Sequence, residues 1–238
     1  GDLEGCSLKT MMFEKYPSIS PYTYCANNPV IMIDPDGKRV FAYDKTSKKY
    51  MKSYFKEQFG SNKMFRFNIN NELKINNRQY NKALDNANPN QKILLDGIRD
   101  VIKNPQKAYV QITENDKFIS FYPITNEETI LPSYTTLSLG GGGATSKTDY
   151  GYIAVGVCNE IANNTEFLTD ELNNDGSTKM TGKNASVTFM HELLDEALNF
   201  FMLDKTKSSS PQKDKVSYMN AALRNLKFTE RNGIDHDK

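Results

Sequence analysis

The chain has 238 residues, of which 25% are charged, and its 30 Lys and Arg against 29 Asp and Glu leave a formal net charge of +1. This balance excludes the strongly basic surface on which non-specific nucleic-acid binding depends, so nucleic acid is not an expected partner. The length allows one large domain with a smaller appendage, and no apolar run approaches the roughly 20 residues of a membrane-spanning helix, so no membrane partner is expected.

The first distinctive stretch is YPSISPYTYCANNPVIMIDPDG, residues 16–37, which is dense in Pro, Asn, Tyr and Ser and ends in an Asp-Pro-Asp-Gly turn. Its composition predicts an extended, turn-rich segment, and a simple loop with a turn is the alternative. The ordered residues closely resemble the closing motif of the Rhs repeat-associated core of large bacterial surface and secreted proteins. The resemblance implies that residues 1–37 end such a core and that residues 38–238 form a C-terminal toxin domain.

The Rhs resemblance also implies a biological setting. The domain would be secreted or delivered from the cell surface as the tail of a larger protein, with the core forming a shell of β-repeats around it. A cognate immunity protein is an expected partner. Because such cores exchange their tails, the chemistry of the toxin has to be inferred from the tail itself.

The tail opens with a short predicted strand, RVFAY, followed by a segment from 45 to 59 in which five lysines alternate with Tyr and Phe. Basic and aromatic residues in this arrangement are typical of surfaces that bind single-stranded nucleic acid. A solvated face with an apolar seam is the other interpretation, and the near-neutral charge of the chain favours it.

The middle of the tail alternates between predicted hairpins and one helix. Residues 64–76, MFRFNINNELKIN, predict a hairpin around an Asn-Asn turn, and KAYVQITENDKFISFYP, residues 107–123, predicts a second one. Between them, residues 88–104 carry apolar side chains at helical spacing, with Pro89 at an early helix position.

A glycine-rich stretch follows, LSLGGGGATSKTDYGYIAVGV, residues 137–157. The glycines predict a flexible turn, with a substrate-lining loop as the alternative, and they lack the Lys-Ser/Thr ending of a phosphate loop. YIAVGV predicts a buried strand. Residues 159–185 are polar and rich in Asn, which predicts a connection outside the core.

The residues that point to chemistry lie in TFMHELLDEALNFF, residues 188–201. An apolar stripe with helical period predicts an amphipathic helix capped by Asn184 or Ser186. On an α-helix His191 and Asp195, four residues apart, face the same ion, while Glu192 is turned about 100° and can hold a water. This spacing indicates a zinc site in which His191 and Asp195 are ligands and Glu192 is the general base.

A third ligand has to come from another part of the chain, and His236 is the remaining histidine. Apolar residues between 216 and 226 predict a second helix that packs beside the first and returns the chain towards His191. Glu196 is a further candidate ligand, but five residues after His191 it is expected to point away from that face of an α-helix.

The order of predicted elements, the HEL helix and a late His are similar to effector-type zinc metallopeptidase toxins over residues 64–236. The resemblance implies an α+β, zincin-like fold with a twisted, antiparallel-rich sheet, a motif-bearing helix and a packed C-terminal helix. It implies a hydrolase that cleaves peptide bonds of a protein substrate in a target cell, with His191 as a zinc ligand and Glu192 as the general base. Asp195 stands where that family has a second His, so the motif here is HExxD.

Several other functions fit the same residues. The domain is either a zinc peptidase or a zincin-like fold that lacks metal and acts by binding alone. A nuclease toxin is suggested by residues 45–59 and by Asp235-His236-Asp237, although no HNH-type cluster accompanies them. A non-enzymatic adhesion tip is a further alternative, and so is an ordinary helix in which His191 and Glu192 have no chemical role.

Overall fold

The computed structural model describes residues 40–104, 106–114, 117–119, 134–136, 141–147, 152–182, 184–198 and 216–232. Contacts between Cα atoms divide the chain into two units, Gly1–Gly37 and Lys38–Lys238, and all described residues belong to the second. Residues 16–37, on which the resemblance to the Rhs core rests, and His236 lie outside the described residues. Within the described part of the chain, no helix is long and apolar enough to cross a membrane.

The described part of the second unit contains both helices and strands. The helices, numbered in chain order, are α1 (Lys45–Phe59), α2 (Asn77–Asn86), α3 (Pro89–Lys103), α4 (Asn159–Asn164), α5 (Ala185–Met190), which continues as a π-helical segment (His191–Glu196), and α6 (Ser217–Asn225). The strands are β1 (Val40–Ala42), β2 (Phe65–Phe67), β3 (Leu73–Ile75), β4 (Ala108–Thr113), β5 (Lys117–Ile119), β6 (Tyr134–Thr136), β7 (Gly143–Lys147), β8 (Ile153–Cys158), β9 (Glu166–Leu172) and β10 (Thr178–Gly182).

The largest sheet of the described residues has the strand order β1-β4-β8-β7. β4 runs parallel to both β1 and β8, and β7 is antiparallel to β8 at one edge. The expected mixture of helices and strands is therefore present, but the main sheet is mixed, and its antiparallel pairing is confined to one edge. Antiparallel pairs also form the small sheets β2-β3, β5-β6 and β9-β10.

Several predicted elements are present with nearly the predicted bounds. The hairpin β2-β3, the helix α3 and the strand β8, whose six residues are all buried, occur where the sequence places them. Asn88 caps α3 with its side chain and forms a reciprocal capping box with Gln91, which explains why this helix begins where it does.

Two predictions for the middle of the chain are wrong. β4 pairs with β1 and β8, while β5 pairs with β6, so the described part of 107–123 is not a hairpin. Side chains on β4 alternate between buried and half-buried, and this alternation indicates a strand without identifying its partner. The polar stretch 159–185 is not a mere connection, because it contains α4 and the hairpin β9-β10.

One apolar core joins the helices to the main sheet. Phe55 of α1 packs at a tilt against Phe65 with ring centroids 4.2 Å apart and meets Phe189 of α5 edge-on at 5.7 Å. The motif-bearing helix lies deep in this core, because every residue from Ala185 to Asp195 is buried. The predicted amphipathic helix is therefore covered on all sides, and α6 packs directly against it.

Candidate functional site

The motif-bearing helix begins at a well-defined cap. Asn184 accepts hydrogen bonds from the backbone N–H of Ser186 at 2.8 Å and of Val187 at 3.1 Å, so Asn184 is the cap, and Ser186 lies inside the first turn. The Ser186 hydroxyl accepts a hydrogen bond from Gln58 at 2.9 Å, which ties this end of the helix to α1. The position of the His191-Glu192 motif is thus fixed by its own cap and by a contact with α1.

The helix widens into a π-helical segment at the motif itself, between His191 and Glu196. A π-helix hydrogen-bonds between residues five apart, so residues at that spacing approach one another on the same side. Accordingly, Nε2 of His191 lies 3.8 Å from Oε1 of Glu196. The expectation that Glu196 points away from His191 assumed regular α-helical geometry and is wrong.

His191 and Asp195 are brought together as the sequence predicts. Nδ1 of His191 lies 3.1 Å from Oδ2 of Asp195, and the Asp195 side chain is completely buried. Asp195 therefore pairs with Nδ1, whereas Glu196 lies next to the other ring nitrogen, Nε2. The imidazole is therefore flanked by a carboxylate on each side.

Asp195 has a second set of partners at the beginning of α6. Its carboxylate accepts hydrogen bonds from the backbone N–H of Tyr218 at 2.9 Å and of Met219 at 2.8 Å, and the Ser217 hydroxyl lies 3.3 Å from Oδ1. The first N–H groups of a helix lack partners within the helix, and a carboxylate is favoured there by the helix dipole. Asp195 thus caps α6 from a neighbouring helix and holds the two helices together.

Glu192 faces the edge strand β7. The Thr145 hydroxyl lies 2.7 Å from Oε2 of Glu192 and 3.1 Å from the backbone oxygen of the same residue, and its one proton can serve one of them at a time. A Cβ added at Gly143 would lie 2.5 Å from Oε1 and 2.7 Å from Cγ of Glu192. A glycine at position 143 is therefore what lets the strand approach the motif helix this closely.

Opposing effects determine the pKa of His191. Burial of the imidazole lowers the pKa, while the hydrogen bond to Asp195 and the charges of Glu192, Asp195 and Glu196 raise it. The carboxylates prevail, so the pKa lies above its ordinary value of 6.5. The surrounding carboxylates thus favour the protonated form of the imidazole more than burial disfavours it.

The proposed ligand set of His191, Asp195 and His236 is tested only in part by this geometry. No group of three His, Cys, Asp or Glu side chains arranged to hold a metal ion occurs among the described residues. The nearest described residue to His236 in sequence is Asn232, whose backbone N–H donates to the carbonyl of Leu168 on β9 at 3.0 Å. His236 and the Asp235-His236-Asp237 run lie beyond it, outside the described residues.

Sequence reasoning missed Gly143 and Thr145 as parts of the site. Their only signal is the glycine run followed by Ala-Thr, which predicts a turn and leaves open a loop that lines a substrate site. The structure places the end of this run directly against Glu192, with Gly141 and Gly142 at positive φ in the turn that precedes β7. The backbone conformation of this turn explains the need for glycine at both positions.

The lysine-rich segment 45–59 forms α1, with Asp44 as its cap. Met51, Tyr54 and Phe55 are buried on one side, and four of the five lysines are exposed on the other. The interpretation as a solvated face with an apolar seam is confirmed. The other part of the suggested nuclease site, Asp235-His236-Asp237, lies outside the described residues.

No known protein-family model, no curated protein and no solved structure matches this chain.

Proposed function

We propose that residues 38–238 form the effector domain of a polymorphic toxin and act as a zinc-dependent peptidase, with Glu192 as the general base. The observation that carries the proposal is the buried His191-Glu192 pair placed directly against an antiparallel edge strand. Buried ionisable groups are costly to keep in a core and are therefore concentrated at functional sites.

The described residues fit a zinc ion in one respect and not in another. His191 fits, because ligating histidines characteristically donate their second ring N–H to a carboxylate, as His191 does to Asp195. Asp195 does not fit as a direct ligand, because both of its oxygens already serve the start of α6. The chemistry that bound zinc supplies is Lewis-acid activation of water near neutral pH.

The chain's own residues would share the remaining tasks. Glu192 accepts the proton of the attacking water, and the Thr145 hydroxyl holds Oε2 of Glu192 in place. Asp195 fixes the ring orientation of His191. His236 remains the proposed source of a further ligand from the end of the chain.

The edge strand β7 supports a peptide as the substrate. Among the described strands, β7 pairs with β8 alone. The N–H of Cys158 donates to the carbonyl of Gly142 at 2.7 Å. The alternation of an antiparallel ladder then turns the backbone groups of Gly143, Thr145 and Lys147 towards the outer edge. An extended peptide can add to such an edge as a further strand, and its scissile bond would then pass beside Glu192.

The same features support a zincin-like arrangement for the α+β fold, since the motif helix lies against a mixed sheet next to its antiparallel edge. The Rhs-type stretch supports delivery as the secreted or surface-delivered tail of a larger protein into a target cell. By the same resemblance, the partners would be a protein substrate, the Rhs core shell and a cognate immunity protein.

A metal-free binding domain of the same fold is the second candidate function. The capping of α6 by Asp195 favours it, because the carboxylate has a complete structural role without any ion. Elemental analysis after zinc loading and desalting separates the two candidates. A peptidase of this kind retains about one zinc per chain and loses it on His191→Ala, whereas a metal-free domain retains none in either form.

Activity is tested with purified full chain on a mixture of labelled proteins and, in parallel, on labelled DNA and RNA. We expect the wild type to release labelled peptides and to leave the nucleic acids intact. Glu192→Gln should abolish peptide release while keeping zinc, because the amide cannot accept the proton. Degradation of nucleic acid by the wild type, or full peptide release by Glu192→Gln, would contradict the proposal.

A further inference from the structure

We propose that Glu196, and not Asp195, supplies the second protein ligand to the zinc ion, and that Asp195 is the residue that positions His191. This assignment rests on the proposed function, because it concerns the same ion. It departs from the four-residue ligand spacing of an HExxH motif, since here the two ligands are five residues apart.

The distance between the two groups is the first support. Two ligands bound at about 2.1 Å to a tetrahedral zinc ion lie about 3.4 Å apart. Nε2 of His191 and Oε1 of Glu196 are 3.8 Å apart, so a side-chain shift of a few tenths of an ångström brings both onto one ion. Glu196 has rotatable bonds for this shift, and its side chain is 24% exposed.

The imidazole ring supplies the second support. Asp195 contacts Nδ1, whereas Glu196 lies next to Nε2, and these two nitrogens point in widely different directions. An ion bound at Nε2 therefore lies out of reach of the carboxylate oxygen that pairs with Nδ1. Asp195 and Glu196 cannot both be first neighbours of that ion while the observed pairing of Nδ1 is kept.

The capping role of Asp195 is the third support. An ion bound between Nδ1 and Asp195 would replace the 3.1 Å contact and draw Oδ2 away from the backbone N–H of Met219. That N–H lies at the buried start of α6, where a weakened hydrogen bond is not replaced by one to water. Ligation through Nε2 and Glu196 leaves this cap intact.

The π-helical segment explains how the chain achieves this geometry. In a regular α-helix the residue five positions after His191 is rotated well away from it, and residues four apart are neighbours. Widening of the helix between His191 and Glu196 brings the later carboxylate to Nε2 while Asp195 stays at Nδ1. Single π-turns of this kind are frequent at functional sites.

The test measures zinc affinity of the full chain by competition with a chromogenic chelator, together with the visible absorption spectrum after cobalt substitution. Glu196→Gln should weaken zinc binding by more than 100-fold and alter the cobalt spectrum, because a ligand is lost. Asp195→Asn should weaken binding by about 10- to 100-fold, as loss of an orienting carboxylate does, with the spectrum preserved. Glu160→Gln, an exposed glutamate in the first turn of α4, is the matched control and should bind as the wild type does.

Each alternative outcome overturns a different part of the assignment. Wild-type affinity in Glu196→Gln, combined with an altered spectrum in Asp195→Asn, would make Asp195 the ligand and leave the proposed peptidase function standing. Absence of zinc binding by the wild type would refute both the ligand assignment and the zinc-dependent function. Far-ultraviolet circular dichroism of each variant shows that it is folded, and Asn at position 195 retains one oxygen to cap α6.

Discussion

Replacing Asp195 with Ala should destabilise the domain far more than an ordinary loss of a helix cap. The carboxylate serves the N–H groups of Tyr218 and Met219 and the ring of His191, and its side chain is fully buried. Breaking a buried charged pair by removing one partner typically costs about 3–5 kcal/mol. We therefore expect the free energy of unfolding to fall by about 3–5 kcal/mol.

Asp44→Ala provides a matched comparison. Asp44 also caps a helix, accepting from the backbone N–H of Ser47 at 2.7 Å, but it is exposed. Loss of such a cap costs about 1 kcal/mol. Both variants remove an aspartate that caps a helix. The difference between their losses in free energy of unfolding therefore isolates the contribution of burial and of the pairing with His191.

The measurement is urea denaturation followed by circular dichroism, with free energies compared at a common slope. Hydrogen exchange at the amides of Tyr218 and Met219 locates the damage, and both amides should lose protection in Asp195→Ala alone. Equal destabilisation of the two variants, within about 0.5 kcal/mol, would refute the idea that Asp195 couples the motif helix to α6.

Three further outcomes follow from the same site. The pKa of His191 is raised above 6.5 in the folded state, so protonation of His191 stabilises the fold. This stabilisation is fully present below pH 6.5 and is lost as the pH rises through the folded-state pKa. His191→Gln should remove the resulting fall of the denaturation midpoint with rising pH. Gly143→Ala should lower the free energy of unfolding by about 1–3 kcal/mol, since the new methyl group overlaps Glu192. Thr145→Val should lower the free energy of unfolding by about 1.5–3 kcal/mol, because the buried Glu192 carboxylate loses its hydrogen-bond donor, and an unchanged denaturation midpoint would show that the hydroxyl does not stabilise Glu192.

Elements whose signals are local could be predicted from the sequence. α3 has Asn88, Pro89 and Gln91 in a capping box, and β2-β3 has alternating residues around an Asn turn, so both are specified within a few residues. β4 shows the same alternation, but its partners β1 and β8 lie far away in the chain. Alternation identifies a strand, whereas pairing depends on tertiary contacts that no local pattern reports.

The hairpin β9-β10 escaped prediction for a related reason. β9 buries only Phe167 and Thr169 among its residues, and most of β10 is exposed. A strand with so few buried positions gives too short an alternation to be distinguished from a polar connection. Arg231, whose guanidinium lies 4.4 Å from the centre of the Phe167 ring, covers the one large apolar side chain of β9 that is buried. This contact comes from more than sixty positions later in the sequence.

The candidate site shows the same division between local and distant information. The pairing of His191 with Asp195 follows from a spacing of four residues, whereas the role of Asp195 depends on α6, which begins at Ser217. A carboxylate that caps a neighbouring helix cannot be exchanged for His without leaving backbone N–H groups unsatisfied in the core. Retaining Asp at this position therefore has a structural cause that is independent of any metal. If an ion is bound here, a second ligand that leaves the cap of α6 intact has to come from a residue other than Asp195, and the π-helical segment brings Glu196 next to Nε2 of His191.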